Sequence, residues 1–113
     1  MKNKISQKDA IKHGRPGVSG IYYQLPNTDG GTTVAYAEFT NEHGERTIGK
    51  RSRIYYILEG KGEFLVNGEK FLVKKGDLVS IPPKGTYNLW PKSKVLKVML
   101  YMEFLDFNKL PTK

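Results

Sequence analysis

The feature that most constrains this chain is its alternation of short apolar runs with glycine or proline turns, which leaves no stretch long enough for a substantial helix. Ile54-Tyr55-Tyr56-Ile57-Leu58 passes through Gly60-Lys61-Gly62 into Glu63-Phe64-Leu65-Val66, and Asn67-Gly68 joins that run to Glu69-Lys70-Phe71-Leu72-Val73. Asn-Gly between two apolar runs is the strongest short-range hairpin signal, because both central residues of a type I′ turn need positive φ. Lys75-Gly76-Asp77 turns into Leu78-Val79-Ser80-Ile81, and Pro82-Pro83-Lys84-Gly85 ends that run, since proline cannot donate to a ladder. Ile21 to Leu25, Thr33 to Phe39, Thr86 to Trp90 and Val95 to Phe104 supply further candidate strands. About eight closely spaced strands with no crossover helix predict an antiparallel sandwich or barrel. Twelve glycines, six prolines, seven tyrosines and five phenylalanines in 113 residues agree with a turn-rich, all-β single domain.

The remaining composition excludes several classes. With no cysteine, disulfide scaffolds and cysteine-ligated zinc or iron–sulfur sites are ruled out. The start has basic residues but no apolar run behind them, and Val95 to Met102 is far shorter than the roughly 20 residues that span a bilayer. A cytoplasmic protein with no membrane partner is therefore expected. The net charge of +8 sits mostly at the two ends: residues 1–20 carry five basic and one acidic side chain, residues 91–113 five and two. Lysines spread over both termini fit a solubilising surface better than a nucleic-acid face, so a nucleic-acid partner is not expected. Near the start, Ser6-Gln7-Lys8-Asp9 has capping-box spacing and predicts a short helix ending before Gly14, followed by a loop at His13-Gly14-Arg15-Pro16-Gly17.

Tyr55-Tyr56-Ile57-Leu58-Glu59-Gly60-Lys61-Gly62-Glu63-Phe64, the hairpin Asn67-Gly68-Glu69, and Lys75-Gly76-Asp77-Leu78-Val79-Ser80-Ile81-Pro82-Pro83 with Gly85 behind it resemble the two motifs of the cupin superfamily. The resemblance implies a cupin-type double-stranded β-helix, a jelly-roll barrel of about eight or more short antiparallel strands around a ligand cavity. It divides the chain into an N-terminal arm (1–20), a barrel (21–105) and a C-terminal tail (106–113). It also implies two-fold pairing, hence a homodimer. Cupins usually hold a divalent metal with histidines and a glutamate. Counting back from the first motif, those positions fall here on Thr47, Gly49 and Arg53, and in the second motif on Tyr87 or Asn88. None is a good ligand, and a guanidinium offers donors only. The expectation is a barrel with no metal and no other cofactor.

If the strand is regular from Thr47 onwards, alternation puts Arg51, Arg53 and Tyr55 on one face, which family geometry makes the inward one. Arginine forks match carboxylate or phosphate oxygens. Together with Tyr87, Asn88 and Trp90, and with Glu38 as an internal carboxylate, these residues are expected to bind a small anionic or sugar-like metabolite. Purely structural roles stand beside each: the arginines pairing with Glu38 or Glu59, Trp90 as core or dimer contact, Asn88 as a turn stabiliser, His13 and His43 as exposed loop residues. Two other function classes stay open. One is a metal-free isomerase or epimerase with Glu38 or an intruding His43 as base and Tyr87 or Tyr55 as acid. The other is a dimeric interaction or regulatory module whose barrel is filled and shows no cavity of about 300 Å³.

Overall fold

The computed structural model describes residues 4–107 and is almost entirely β. The strands are β1 (Ile11–Arg15), β2 (Val18–Leu25), β3 (Thr32–Phe39), β4 (Arg46–Thr47), β5 (Arg53–Glu59), β6 (Lys61–Val66), β7 (Glu69–Lys74), β8 (Leu78–Ile81), β9 (Thr86–Pro91) and β10 (Leu96–Glu103). They form two antiparallel sheets, one ordered β1-β2-β3-β10-β5-β8 and the other β4-β9-β6-β7. The architecture is the expected jelly roll. Its two sheets face each other and are not joined by ladder hydrogen bonds into a closed ring. Among the described residues no helix is long and apolar enough to cross a membrane.

Period-two alternation decides which side chains meet inside. β3 buries Ala35, Ala37 and Phe39; β5 buries Arg53, Tyr55 and Ile57; β10 buries Leu96, Val98, Leu100 and Met102. The other sheet answers with Phe64 and Val66 from β6 and Tyr87 and Leu89 from β9. Each large apolar side chain removed from water contributes about 1.5–3 kcal/mol, so these rows supply the main force holding the sheets together. Ala37 of β3 is small, and the space above it becomes part of the cavity described below.

The β6–β7 turn adopts the geometry that its sequence demands, with Asn67 at φ 48° and Gly68 at φ 86°. Asn67 also pins the next strand, its Oδ1 accepting from the Thr86 amide at 2.9 Å.

Three local expectations change. The N-terminal helix is only a 3₁₀ turn at Gln7–Asp9, and Ser6 makes no side-chain cap; three residues are too few to offset helix nucleation. Residues 11–15, expected as part of an arm ending in a loop, form the edge strand β1, paired with β2 from Ile11–Tyr22 to Arg15–Val18. Pro16 and Gly17 are the hairpin turn itself, where a missing amide costs no ladder bond. The strand expected from Thr47 is interrupted: residues 48–52 leave the ladder and β5 begins only at Arg53. The C-terminal tail lies largely outside the described residues.

Gly60 and Gly68 both have positive φ, but a Cβ at Gly60 would lie 2.4 Å from the Val95 carbonyl oxygen, whereas nothing comes within 4 Å of one at Gly68. Gly68→Ala is expected to cost about 1 kcal/mol from backbone strain alone and Gly60→Ala about 3 kcal/mol. Urea unfolding midpoints check the order, and equal losses would show that strain alone governs both turns.

Candidate functional site

The site forms where β5 enters the barrel opposite β9. Arg53, the first residue of β5, is only 5% exposed. Its Nη2 donates to Glu103 Oε2 at 2.8 Å and its Nη1 to the Tyr87 hydroxyl at 3.2 Å. Tyr87 and Tyr55 join hydroxyls at 2.5 Å, so Arg53 and both tyrosines form one buried network across the two sheets. Burial weakens the guanidinium, but the neighbouring tyrosines and Glu103 more than compensate and hold it charged. Burial, reinforced by Tyr87 and opposed by Arg53, lifts the Tyr55 phenol well above its ordinary value. It is a proton donor at neutral pH.

Beside this network lies a cavity of about 70 Å³, with Ala37, Phe39 and Leu100 in its floor. Its wall carries Arg15, Arg46 and Arg53 together with His13 and His43, and no acidic side chain. Two of these arginines and both histidines come from segments read in the sequence as loop. His43 rides on the β3–β4 loop, which is clamped onto β9: its amide donates to the Leu89 carbonyl at 3.0 Å, and the Gly44 amide donates to Asn88 Oδ1 at 2.8 Å. Asn88 Nδ2 in turn holds Glu42 Oε2 at 2.7 Å, and Arg15 Nη2 donates to the His43 carbonyl at 2.6 Å.

The His43 ring is half-buried, stacked on Tyr87 with centroids 5.3 Å apart and packed against Phe39 at 5.8 Å. Its Nδ1 lies 2.8 Å from the Gly44 carbonyl oxygen. Since a carbonyl only accepts, Nδ1 carries the proton of the neutral ring and Nε2 keeps a lone pair. Burial lowers the His43 pKa to about 4; the charges of Arg46, Arg15 and Arg53 act in the same direction and the Gly44 bond against it. At the mouth, His13, Tyr22 and Phe107 pack edge to face with centroids 5.2–6.3 Å apart.

Of the residues expected at the site, Arg53 and Tyr55 line the cavity and Tyr87 backs both them and His43. Arg51 does not join them. Because residues 48–52 are irregular, alternation does not reach it, and its guanidinium caps the β2–β3 loop instead, donating to the Gly31 carbonyl and, at 3.4 Å, to Thr32 Oγ1. Glu38 lies on the face of β3 opposite Phe39, where it accepts from the Tyr36 hydroxyl at 2.7 Å. Trp90 faces away from Leu89 with the Lys70 ammonium 5.8 Å from its ring centroid. Asn88 orients the His43 loop rather than the cavity.

The fit of a divalent cation can be tested on the donor set. Thr47 bonds Thr86 outside the cavity, Gly49 brings no side chain, and a paired guanidinium fills the third position. No group of three or more His, Asp or Glu comes together among the described residues. The residues present do not fit such a metal.

The lowered His43 pKa has a definite sign in stability. Between pH 6.5 and about 4 the unfolded chain takes up this proton before the folded one, so folding free energy is lost as pH falls through that window and is unaffected above it. The loss is on the order of 2–3 kcal/mol. Wild type should weaken on acidification by that much more than His43→Gln in urea titrations at pH 7 and pH 4.5; parallel losses would mean that His43 titrates normally.

A profile of the cupin domain matches residues 39–101. An uncharacterized protein of Methanocaldococcus jannaschii is 40% identical over 68 residues, which is 57% of this chain and 54% of that protein, so the chain spans about half of its curated relative. Among solved structures, the nucleoside dehydratase Pac13 superposes with a TM-score of 0.75 at 19% identity, covering 98% of this chain and 99% of that one. A Streptomyces Pac13 variant with uridine superposes equally well, with a TM-score of 0.76 and 19% identity, covering 96% of this chain and 88% of the other. KdgF from a Halomonas species gives a TM-score of 0.76 at 15% identity over 96% and 99% of the two chains. These similarities establish the fold. With the motif run, the jelly-roll topology and a profile match over more than half its length, the chain belongs to the cupin domain family.

Proposed function

We propose that this cupin works without a metal, as a homodimer, and binds a small anionic or sugar-like metabolite at the barrel mouth. The observation that carries the reading is a cavity wall with three guanidinium groups and no carboxylate. Glu103 offsets the charge of Arg53. Arg15 and Arg46 make no ion pair among the described residues, and Arg15 spends a donor only on a neutral carbonyl. Uncompensated cations beside a histidine driven neutral favour an anion, which would take bidentate hydrogen bonds from either fork.

Size narrows the ligand. About 70 Å³ encloses a carboxylate- or phosphate-sized head and falls below the roughly 300 Å³ of a pocket that swallows a whole drug-sized molecule. The body of a larger ligand would rest in the mouth against Tyr22 and His13. The uridine found with a similarly folded cupin is a ligand of that extent.

A thermal-shift screen of carboxylates, sugar phosphates and nucleotides tests this. At a hundredfold excess over Kd, ligation stabilises the native state by about 2.7 kcal/mol, a rise of roughly 10 °C for a domain of this size. Arg15→Ala with Arg46→Ala should abolish the shift and Arg51→Ala should leave it intact. At about 70 Å³ the cavity also meets the criterion set above for a filled barrel, so a screen with no stabilising anion would leave the interaction module as the reading.

One observation supports the isomerase-type reading as a second choice. The intruding histidine now has a place: His43, with its lone pair fixed on Nε2, shares the cavity with the protonated Tyr55, while Glu38 faces outward. With its pKa lowered to about 4 His43 is a weak base, so the pair suits proton transfer only at an activated carbon, next to a carboxylate or carbonyl whose enolate the arginines would stabilise. For any ligand the screen identifies, mass spectrometry after incubation in D₂O should show deuterium at that carbon with wild type and none with His43→Gln. No uptake with wild type would leave a binder.

A further inference from the structure

The end of the barrel away from the mouth gathers lysines that are distant in sequence. β5 runs from Arg53 at the mouth to Glu59, and Lys61 opens β6 in the other sheet directly after the turn at Gly60. Lys74, at the end of β7, stands opposite Lys61 in the ladder. Lys92, just past β9, donates its amide to the Lys61 carbonyl at 2.8 Å and so lies on the other side of Lys61. Three lysines thus stand side by side at the ends of three strands. The pairing of Lys61 with Lys74 is of the close kind. The Lys61 carbonyl is taken by Lys92, and both backbone groups of Lys74 go to Asp77: its amide donates to Oδ2 at 2.8 Å, and its carbonyl accepts from the Asp77 amide at 3.0 Å. Such a non-hydrogen-bonded pair brings its side chains nearest to each other. Like charges directly opposite in a sheet are destabilising.

Nearby carboxylates do little to relieve this. Glu63 pairs with Lys92 at 3.6 Å, Asp77 holds the Lys74 amide, and neither Lys61 nor Lys74 has an ion pair among the described residues. Beside the row opens a groove of about 510 Å³, lined by the three lysines together with Leu72 and Val73. Leu72 points outward from β7 and is 73% exposed, the most exposed large apolar side chain among the described residues. A repulsive row next to a bare leucine is relieved by a partner that is acidic and brings an apolar group. We propose that this groove docks an acidic peptide segment of a partner protein, with one aliphatic side chain of the segment on Leu72 and its carboxylates on Lys61 and Lys74. The row of lysines spans two strand spacings, about 10 Å, which suits carboxylates on alternate residues of an extended chain, about 6.6 Å apart, better than one compact anion. A single-stranded nucleic acid would also answer the charge, but such surfaces stack bases on aromatic side chains, and none lines this groove. The site lies at the opposite end of the barrel from the arginine-walled cavity and does not depend on what binds there.

Fluorescence anisotropy with a labelled peptide of glutamates around one leucine tests the proposal. Wild type should bind it saturably, and Arg15→Ala with Arg46→Ala should bind it equally well. Lys61→Glu sets a carboxylate opposite Lys74, so it should raise the unfolding midpoint by about 2 °C while weakening the peptide at least about tenfold. Leu72→Ser should weaken the peptide about fivefold and make no difference to a peptide with serine in place of the leucine. Should Lys61→Glu fail to fold, Leu72→Ser decides. A wild type that does not bind, or a folded variant at either position that binds as tightly as wild type, would overturn the proposal. So would tighter binding of oligothymidylate than of the peptide, lost in Lys61→Glu, which would assign the lysines to nucleic acid.

Discussion

A buried guanidinium ties this barrel together at its open end. Arg53 begins β5 in one sheet, reaches Glu103 at the end of β10 and donates across the interior to Tyr87 on β9 in the other sheet. Tyr55 closes the network through its hydroxyl contact with Tyr87. Elsewhere the sheets are held by apolar burial, which is non-directional and tolerates small slides. The Arg53 network is directional. Removing one partner of such a pair leaves a charge without compensation in a poorly solvated place, at a typical cost of about 3–5 kcal/mol. The rim of the barrel therefore has one geometry, and the cavity beside it inherits that geometry.

The same network explains the electrostatics of the mouth. Glu103 is consumed by Arg53, so it does not offset the arginines on β1 and β4. His43 would gain a proton at a cost in that field and in that burial, and it remains neutral with its tautomer fixed by the Gly44 carbonyl. Asn88 anchors the loop that brings the ring there through contacts to Gly44 and Glu42. A positive, sparsely solvated hollow with one fixed acceptor and one protonated phenol follows from how β1, the β3–β4 loop, β4 and β5 meet.

Much of the fold was legible in the chain. Asn67-Gly68, the glycine and proline punctuation and the period-two runs identify the strands from Thr32 onwards because these signals are local. Arg53 and Tyr55 were legible as inward residues because β5 is regular from its first residue. Arg51 was not, since alternation holds only within a continuous ladder and residues 48–52 are not part of one. Trp90 was expected at the site from its place in the second motif and Glu38 as an internal carboxylate, yet strand parity turns both to the opposite faces. His13, Arg15 and Arg46 were missed, and His43 was offered only as an intruding base in one alternative, for one reason. They sit in segments that read as loop, and nothing local marks a loop residue as folding back over a barrel mouth.

By itself, the sequence determined the all-β class, the hairpin at Asn67-Gly68, the jelly-roll family and the loss of the usual metal-ligating side chains, because each depends on residue type and short-range spacing. The tertiary structure alone decided which cations share the cavity and which way the His43 lone pair is free. It also decided that Lys61, Lys74 and Lys92 stand side by side next to an exposed Leu72. Those facts depend on register between strands far apart in the chain and on loops held by side chains of other strands, and burial and Coulomb interactions act through distance in space rather than along the backbone.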